Sequence, residues 1–228
     1  MHVAKIVYFT VFVLAIMAFI FHATAMGHHH WKHVTGTNIT LTGFNRTTIG
    51  LFMRCVPSDT LYTEVCFPNT YPVLHRACKW SDCQNKNLTE NCGCDYLPST
   101  KGIAACTILA AVFLGISIIL LFIHSIRTNE TRVAAILLSF LPLILLLLTF
   151  IFMLIALILV GSYLSRDMMA IYRTIFDNES WEDARKIATQ SYSTQIGWAS
   201  GLEIIALVLT FLSFVFYCLF VFKLSRTA

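Results

Sequence analysis

The sequence predicts an all-α membrane protein, in which four transmembrane helices form a bundle and carry a small antiparallel β-sheet outside the membrane. Its composition is one reason, because 57% of the 228 residues are hydrophobic and only 12% are charged, against about 25% charged in soluble domains. The apolar residues also fall in blocks long enough to cross a bilayer core, which takes roughly 20 helical residues. The four blocks are residues 3–26, 103–124, 133–163 and 198–222.

The first block, residues 3–26, has a second interpretation as a cleaved signal peptide. Lys5, the apolar run and the small residues at 23–25 resemble such a peptide and its cleavage site. The uninterrupted run is longer than the roughly 7–15 apolar residues of a usual signal peptide, so we expect a retained transmembrane helix. A mature chain that begins at Met26 would contradict this expectation.

Basic residues predict the orientation, because Lys and Arg near the ends of spans stay in the cytoplasm. Residues 125–132 and 223–228 are then a cytoplasmic loop and tail, and both termini are cytoplasmic. Residues 27–102 and 164–197 are the two outer loops of a multi-pass protein, which we expect in the plasma membrane. The basic residues behind this orientation are Lys5, Arg127, Arg132, Lys223 and Arg226.

Four N-glycosylation sequons agree with this orientation, since all of them fall within the two predicted outer loops, where glycans can be added. Their acceptors are Asn38, Asn45, Asn87 and Asn178. A fifth sequon at Asn129 lies in the predicted cytoplasmic loop and is expected to be bare. A glycan on Asn129 would invert the topology.

Six of the eight cysteines lie in the first predicted outer loop, and an even set outside the membrane predicts disulfides. A zinc site is the alternative, but the spacing of the last four lacks the paired C-x2-C motifs of structural zinc sites. The pairing of those four stays open, since three connectivities exist. The six cysteines are Cys55, Cys66, Cys78, Cys83, Cys92 and Cys94.

Segments rich in β-branched residues predict the outer sheet, with strands at residues 34–41, 47–56 and 61–66 and turns between them. Cys55 and Cys66 then lie on neighbouring strands, where a disulfide would hold an antiparallel hairpin. A sheet of this size is not stable alone, so we expect it to depend on covalent links and on packing against the helices.

Four histidines lie close together after the first span, at His28, His29, His30 and His33. They suggest a metal-binding or pH-sensing site. The alternative is a polar exit from the membrane in which Trp31 lies at the level of the lipid headgroups. We favour the second interpretation, because consecutive histidines on an extended or helical backbone cannot all point at one ion. We therefore expect no metal and no other cofactor.

The order of Trp31, then Gly50, Leu51 and Phe52, then the two hairpin cysteines, resembles the W-GLW-C-C signature of the claudin superfamily. That superfamily includes claudins, peripheral-myelin and epithelial-membrane proteins, and the gamma-type accessory subunits of calcium channels and glutamate receptors. Residues 196–202 also resemble the start of the last claudin helix. Phe52 stands where the family has tryptophan, which keeps an aromatic side chain but loses the indole donor.

The resemblance implies a left-handed four-helix bundle with an outer antiparallel sheet, as in a divergent claudin-like protein. It also implies a disulfide between Cys55 and Cys66, and packing of Trp31 and Leu51 where the sheet meets the bundle. The four further cysteines extend beyond the ordinary claudin loop.

Glu203 is the single acidic residue inside a predicted span. An ionisable side chain in a membrane span suggests a functional role, and Tyr8, Thr10 and Ser117 are the candidate hydrogen-bond partners. Because Glu203 follows Trp198 closely, the alternative is that it reaches the outer headgroups.

The sequence has no H-E-x-x-H motif, nucleophile elbow or Walker loop, so we expect no enzyme. A net charge of +4 that is spread over both predicted sides of the membrane does not indicate nucleic-acid binding.

Two function classes remain, and both are non-catalytic. In the first, a claudin-like protein contacts itself or similar chains through its outer loops and forms a cell junction, a barrier or a paracellular pore. Arg46 and Arg54 would then give such a pore a preference for anions. In the second, the chain is an accessory subunit of an ion channel or receptor, which the extra cysteines and the sequons at Asn38 and Asn45 favour. We favour the first class.

Overall fold

Within its described residues, the computed structural model has four helices that are long and apolar enough to cross a membrane. The residues that the structure describes are 2–36, 46–57, 64–72, 83, 93–126, 132–163 and 192–227. The helices are α1 (His2–Gly27), α2 (Pro98–Ile126), α3 (Arg132–Ser162) and α4 (Trp198–Thr227). They confirm the prediction of four helices able to span a membrane, and they fit a multi-pass membrane protein.

One compact unit consists of helical segments from all four helices. Its interior uses small side chains, and Ala15, Ala18, Ala110 and Ala206 are completely buried, which allows helix backbones to approach closely. The outer faces of the helices carry many exposed Ile, Leu, Val and Phe side chains. Helices that are apolar on all sides are typical of membrane spans.

The other compact unit contains the β-structure. Its strands are β1 (Lys32–Gly36), β2 (Arg46–Ile49), β3 (Met53–Pro57), β4 (Glu64–Pro68), β5 (Thr70–Pro72), β6 (Cys94–Tyr96) and β7 (Tyr192–Ile196). Five of them form one sheet in the order β4-β3-β2-β1-β7, in which every neighbouring pair is antiparallel. Strands β5 and β6 form a separate antiparallel pair. A small antiparallel sheet was predicted, and its presence is confirmed.

The prediction of one strand over residues 47–56 is wrong, because the chain turns in the middle of this segment. The Gly50 amide donates a hydrogen bond to the Met53 carbonyl at 2.8 Å, and Ile49 then faces Arg54 across the β2–β3 hairpin. The β-branched residues on both sides conceal the turn, and Gly50 was its only local sign. The third strand, predicted to end at Cys66, continues to Pro68 as part of β4 (Glu64–Pro68), and its predicted residues 61–63 lie outside the described residues.

Strand β7 was missed by the sequence prediction, although it joins the second predicted outer loop to the sheet. It pairs with β1 along its full length, from Lys32 opposite Ile196 to Gly36 opposite Tyr192. The alternation of Tyr192, Thr194 and Ile196 with polar residues is a strand pattern, but a run of five residues beside a helix is weak evidence by itself.

The disulfide prediction for the hairpin is confirmed, since Cys55 and Cys66 are bonded and lie directly opposite each other on β3 and β4. A second disulfide joins Cys83 to Cys94, which settles one of the pairings that the sequence left open. Cys78 and Cys92 lie outside the described residues.

Candidate functional site

The best-defined polar cluster of the β-containing unit is built on residues 28–33, which we call the histidine segment. This segment follows α1, includes the first two residues of β1 and passes close to two buried glycines. A Cβ atom at Gly50 would lie 2.6 Å from the His29 Cα, and a Cβ atom at Gly197 would lie 2.0 Å from the His30 carbonyl oxygen. Only glycine fits at these two positions, so the backbone of the segment is closely confined.

Hydrogen bonds from the start of α4 hold the same backbone. The Gly197 amide donates to the Trp31 carbonyl at 2.8 Å, and the Ala199 amide donates to the His30 carbonyl at 3.1 Å. The Ser200 hydroxyl also donates to the Trp31 carbonyl at 3.0 Å. Amides in the first turn of a helix have no partner within the helix, and here the histidine segment supplies acceptors for them.

The confined backbone brings the four histidine rings close together. The ring centroids of His28 and His29 lie 4.7 Å apart, those of His29 and His30 lie 4.2 Å apart, and those of His30 and His33 lie 5.1 Å apart. The argument that consecutive histidines cannot converge is therefore wrong for this segment, because its backbone at residues 28–31 bends and is neither helical nor extended.

Donor atoms of the cluster lie at close range. His28 Nδ1 and His30 Nδ1 are 3.1 Å apart, and His29 Nε2 is 3.0 Å from the Glu64 carboxylate oxygen Oε2. The ligand nitrogens of the three consecutive histidines all lie within 4.8 Å of one another. Trp198 closes one side, with its ring centroid 4.2 Å from that of His28.

The electrostatic environment favours neutral rings at two of these histidines. Burial lowers the pKa of both the His28 and the His30 imidazole, and the neighbouring His29 lowers it further, while Glu64 acts in the opposite direction. A neutral imidazole has a free lone pair, so it can accept a proton or bind a metal ion.

Trp31 is buried inside the protein, which does not fit a side chain that anchors among the lipid headgroups. Its side chain is 1% exposed, and Leu51 is also buried. The two residues line one small space with Thr100 and Ile103 of α2 and Val160 of α3.

The turn at residues 50–52 is held by a residue that the sequence did not single out. Asn69 is buried. Its side-chain amide donates to the Gly50 carbonyl at 3.0 Å, and its backbone amide donates to the Phe52 carbonyl at 2.9 Å. The Tyr71 hydroxyl donates to Asn69 Oδ1 at 2.9 Å. An asparagine directly after a strand is typical of turns, and that was its only sign in the sequence.

Phe52 projects from this turn and does not enter the core. It is 40% exposed, and the adjacent Met53 is 48% exposed. Pro68 is exposed as well and lies directly opposite Met53 in the β3–β4 register. We call Phe52, Met53 and Pro68 the apolar tip, which lies next to the 50–52 turn at the open end of the β3–β4 hairpin.

The two charge-selectivity candidates differ in position. Arg54 is 1% exposed, and its guanidinium carbon lies 5.0 Å from the centre of the Tyr71 ring. Burial lowers the pKa of Arg54, and the interaction with Tyr71 opposes that change. Arg46 is the first residue of β2 and pairs with Thr35. A buried guanidinium does not support a role for Arg54 in lining an ion path.

Glu203 is completely buried in the helical unit, so it does not reach the headgroups, and its partner is His22 instead of Tyr8, Thr10 or Ser117. His22 Nδ1 lies 2.7 Å from Glu203 Oε2, and His22 Nε2 donates to the Thr107 carbonyl at 2.9 Å. The imidazole and the carboxylate hydrogen-bond to each other, so each gives the other a partner in the buried interior. That suits the interior of a membrane-spanning unit.

The four predicted glycosylation acceptors, Asn38, Asn45, Asn87 and Asn178, lie outside the described residues. Comparison of the whole chain with models of protein families and with curated proteins gives no match.

Proposed function

We propose that this chain is a non-catalytic, claudin-like tetraspan protein of the plasma membrane, with cytoplasmic termini, that makes cell–cell contacts through its outer loops. The observation that carries the proposal is the apolar tip. Apolar side chains grouped on an exposed surface favour contact with another protein surface, and three of them are grouped here at one end of a hairpin.

The backbone that carries the apolar tip is held in place by a disulfide and by hydrogen bonds. This order favours a role of the tip in binding another protein. The Cys55–Cys66 disulfide crosses the hairpin, and Asn69 bonds to both ends of the 50–52 turn. A surface that is already ordered loses little conformational entropy when it binds.

The residues of the claudin-like signature support the family proposal through the structural roles that they take. Trp31 and Leu51 are buried side by side around one small space, and the signature cysteines are bonded. Gly50 allows a close backbone approach that no other residue would permit. Within this proposal, the burial of Arg54 leaves Arg46 as the better candidate for a charge along a paracellular path.

The contact role can be tested in cells that do not otherwise adhere. Full-length protein should concentrate where two expressing cells touch, and the double substitution Phe52→Ser and Met53→Ser should reduce that enrichment by at least half. Val65→Ser is the matched control, because Val65 is exposed on the other face of the same hairpin. Equal enrichment of the double variant and the wild type, at equal surface delivery, would exclude a contact role for the tip.

A second function, as an accessory subunit of an ion channel or receptor, is favoured by one specific observation. The Cys83–Cys94 disulfide and the β5–β6 pair add a structured element beyond the ordinary claudin loop. Crosslinking in native membranes, followed by mass spectrometry, separates the two functions. Recovery with a channel subunit supports the accessory role, and self-association at cell contacts supports the junctional role.

A further inference from the structure

The histidine segment and β4 bring together four side chains with metal-binding atoms. These are the imidazoles of His28, His29 and His30 and the carboxylate of Glu64. Imidazole nitrogen and carboxylate oxygen are both ordinary zinc ligands, and four of them complete a tetrahedral site. None of the contact roles proposed above requires these four side chains.

The distances between two pairs of donor atoms fit a single ion. Two atoms that each lie about 2.0–2.1 Å from one tetrahedral zinc ion are about 3.3–3.4 Å from each other. The separations of 3.1 Å between His28 Nδ1 and His30 Nδ1, and of 3.0 Å between His29 Nε2 and Glu64 Oε2, are close to that value. The nitrogens of the three histidines are at most 4.8 Å apart. Rotation of the partly exposed rings can bring them to the shorter separation that a zinc ion requires.

The backbone of the cluster is already in place, which lowers the cost of binding. Gly50 and Gly197 confine the backbone at His29 and His30, and the start of α4 bonds to the carbonyls of His30 and Trp31. Ligands held on a fixed backbone need only side-chain adjustment to bind an ion. The site is also open, since the side chains of His29 and Glu64 are 26% and 42% exposed.

We propose that His28, His29 and His30, together with Glu64, form a binding site for one Zn²⁺ ion. The ion joins the connection between α1 and β1 to the edge strand β4, so it adds a reversible link across the sheet. Because Glu64 is one residue from Val65 and two from Cys66, the link stiffens the hairpin that carries the apolar tip.

Zinc binding is measured on the full-length chain in lipid nanodiscs, purified with a tag that contains no histidine. Isothermal titration with Zn²⁺ should give one ion per chain. The double substitution His28→Asn and His30→Asn should weaken binding by at least about tenfold, as even the loss of an outer partner of a ligand costs about 10–100-fold. Asparagine keeps a hydrogen-bonding group near the position of Nδ1 but is a poor zinc ligand, so it preserves the packing of the segment.

The matched control is His124→Asn, since His124 lies in α2 against Tyr8 and belongs to the helical unit. Its titration should equal that of the wild type. A second readout uses Co²⁺ in place of Zn²⁺, because four-coordinate Co²⁺ absorbs visible light strongly, and Glu64→Gln should reduce that absorption. If the double variant melts at a lower temperature without metal, His29→Asn alone replaces it.

A wild-type chain that binds no zinc would overturn the site. So would equal affinity in the wild type and in the histidine variants, which would place the bound ion elsewhere in the chain. Selective loss of binding in the histidine variants, with unchanged binding in His124→Asn, would support it.

Discussion

At the level of single residues, Gly197 has the most demanding environment in the described chain. The His30 carbonyl oxygen lies where its side chain would begin, and its own amide bonds to the Trp31 carbonyl. Backbone atoms cannot move aside as the end of a flexible side chain can. The position therefore couples the start of α4 to the histidine segment through main-chain contact alone.

We expect Gly197→Ala to lower the free energy of unfolding by about 3 kcal/mol or more, at the upper end of the usual cost of overpacking. The matched control is Gly201→Ala, four residues later in the same helix, where an added Cβ would meet nothing within 4 Å. Alanine is the better helix former, so this control should be neutral or slightly stabilising. Apparent melting temperatures of the two variants in detergent make the comparison. Equal melting would contradict the close approach of Gly197 to His30.

The sequence alone indicated some of the residues that are buried or clustered in the structure, but not others. Trp31, Gly50 and Leu51 were recognised as a signature, and their buried positions agree with it. The clustering of the histidines was not predicted, because it depends on a bend in the backbone that glycines elsewhere in the chain make room for. Asn69 was missed for a similar reason, since its bonds to the 50–52 turn arise only when β3 and β4 pair.

At the level of elements, the buried polar pair links helices that are far apart in the sequence. His22 on α1 and Glu203 on α4 are separated by 181 residues, and the Thr107 carbonyl on α2 accepts the second bond of the imidazole. Three helices therefore meet at one hydrogen-bonded group. The geometry fixes their relative rotation as well as their contact.

We expect the single substitutions His22→Leu and Glu203→Leu each to destabilise the helical unit by about 3–5 kcal/mol, because each leaves one buried polar partner behind. The double substitution should recover most of that loss, since two apolar side chains leave nothing unpaired. A double-mutant cycle on thermal or denaturant unfolding measures this coupling.

Thr210→Val is the control for that cycle. Thr210 is also buried in α4, and its hydroxyl donates to the Ala206 carbonyl of its own helix, with the weakly accepting Met153 sulfur 3.8 Å away. Its replacement should cost less than about 1 kcal/mol, as for other hydrogen bonds within membrane helices. Additive losses in the cycle would mean that His22 and Glu203 do not act as a pair.

The sequence could locate the helices but not this contact. Apolar blocks of sufficient length identify spans independently of their neighbours, and Glu203 stood out as an acid in one of them. Its partner depends on which helix faces it and at which height. The packing of the helices determines both. The partners predicted for Glu203 from residue type alone were therefore wrong.

At the level of the whole molecule, one sheet contains strands from both predicted outer loops. Strand β1 follows α1, and β7 precedes α4, with α2 and α3 between them in the sequence. Their pairing requires residues 32–36 and 192–196 to lie on the same side of a membrane. This requirement agrees with the orientation expected from the basic residues, in which both loops are on the outer side.

The β1–β7 register provides a direct test of this arrangement. Thr35 faces Ser193, and the Cβ atoms of directly opposite residues on antiparallel strands are about 4.5–5.5 Å apart, near the range that a disulfide spans. In a background where Cys106 and Cys218 are serine, we expect Thr35→Cys with Ser193→Cys to form a disulfide in most chains. Thr35→Cys with Thr194→Cys should remain at background, because neighbouring strand residues point to opposite faces. Mass spectrometry of unreduced digests measures both yields, and equal yields would contradict both the register and the shared sheet.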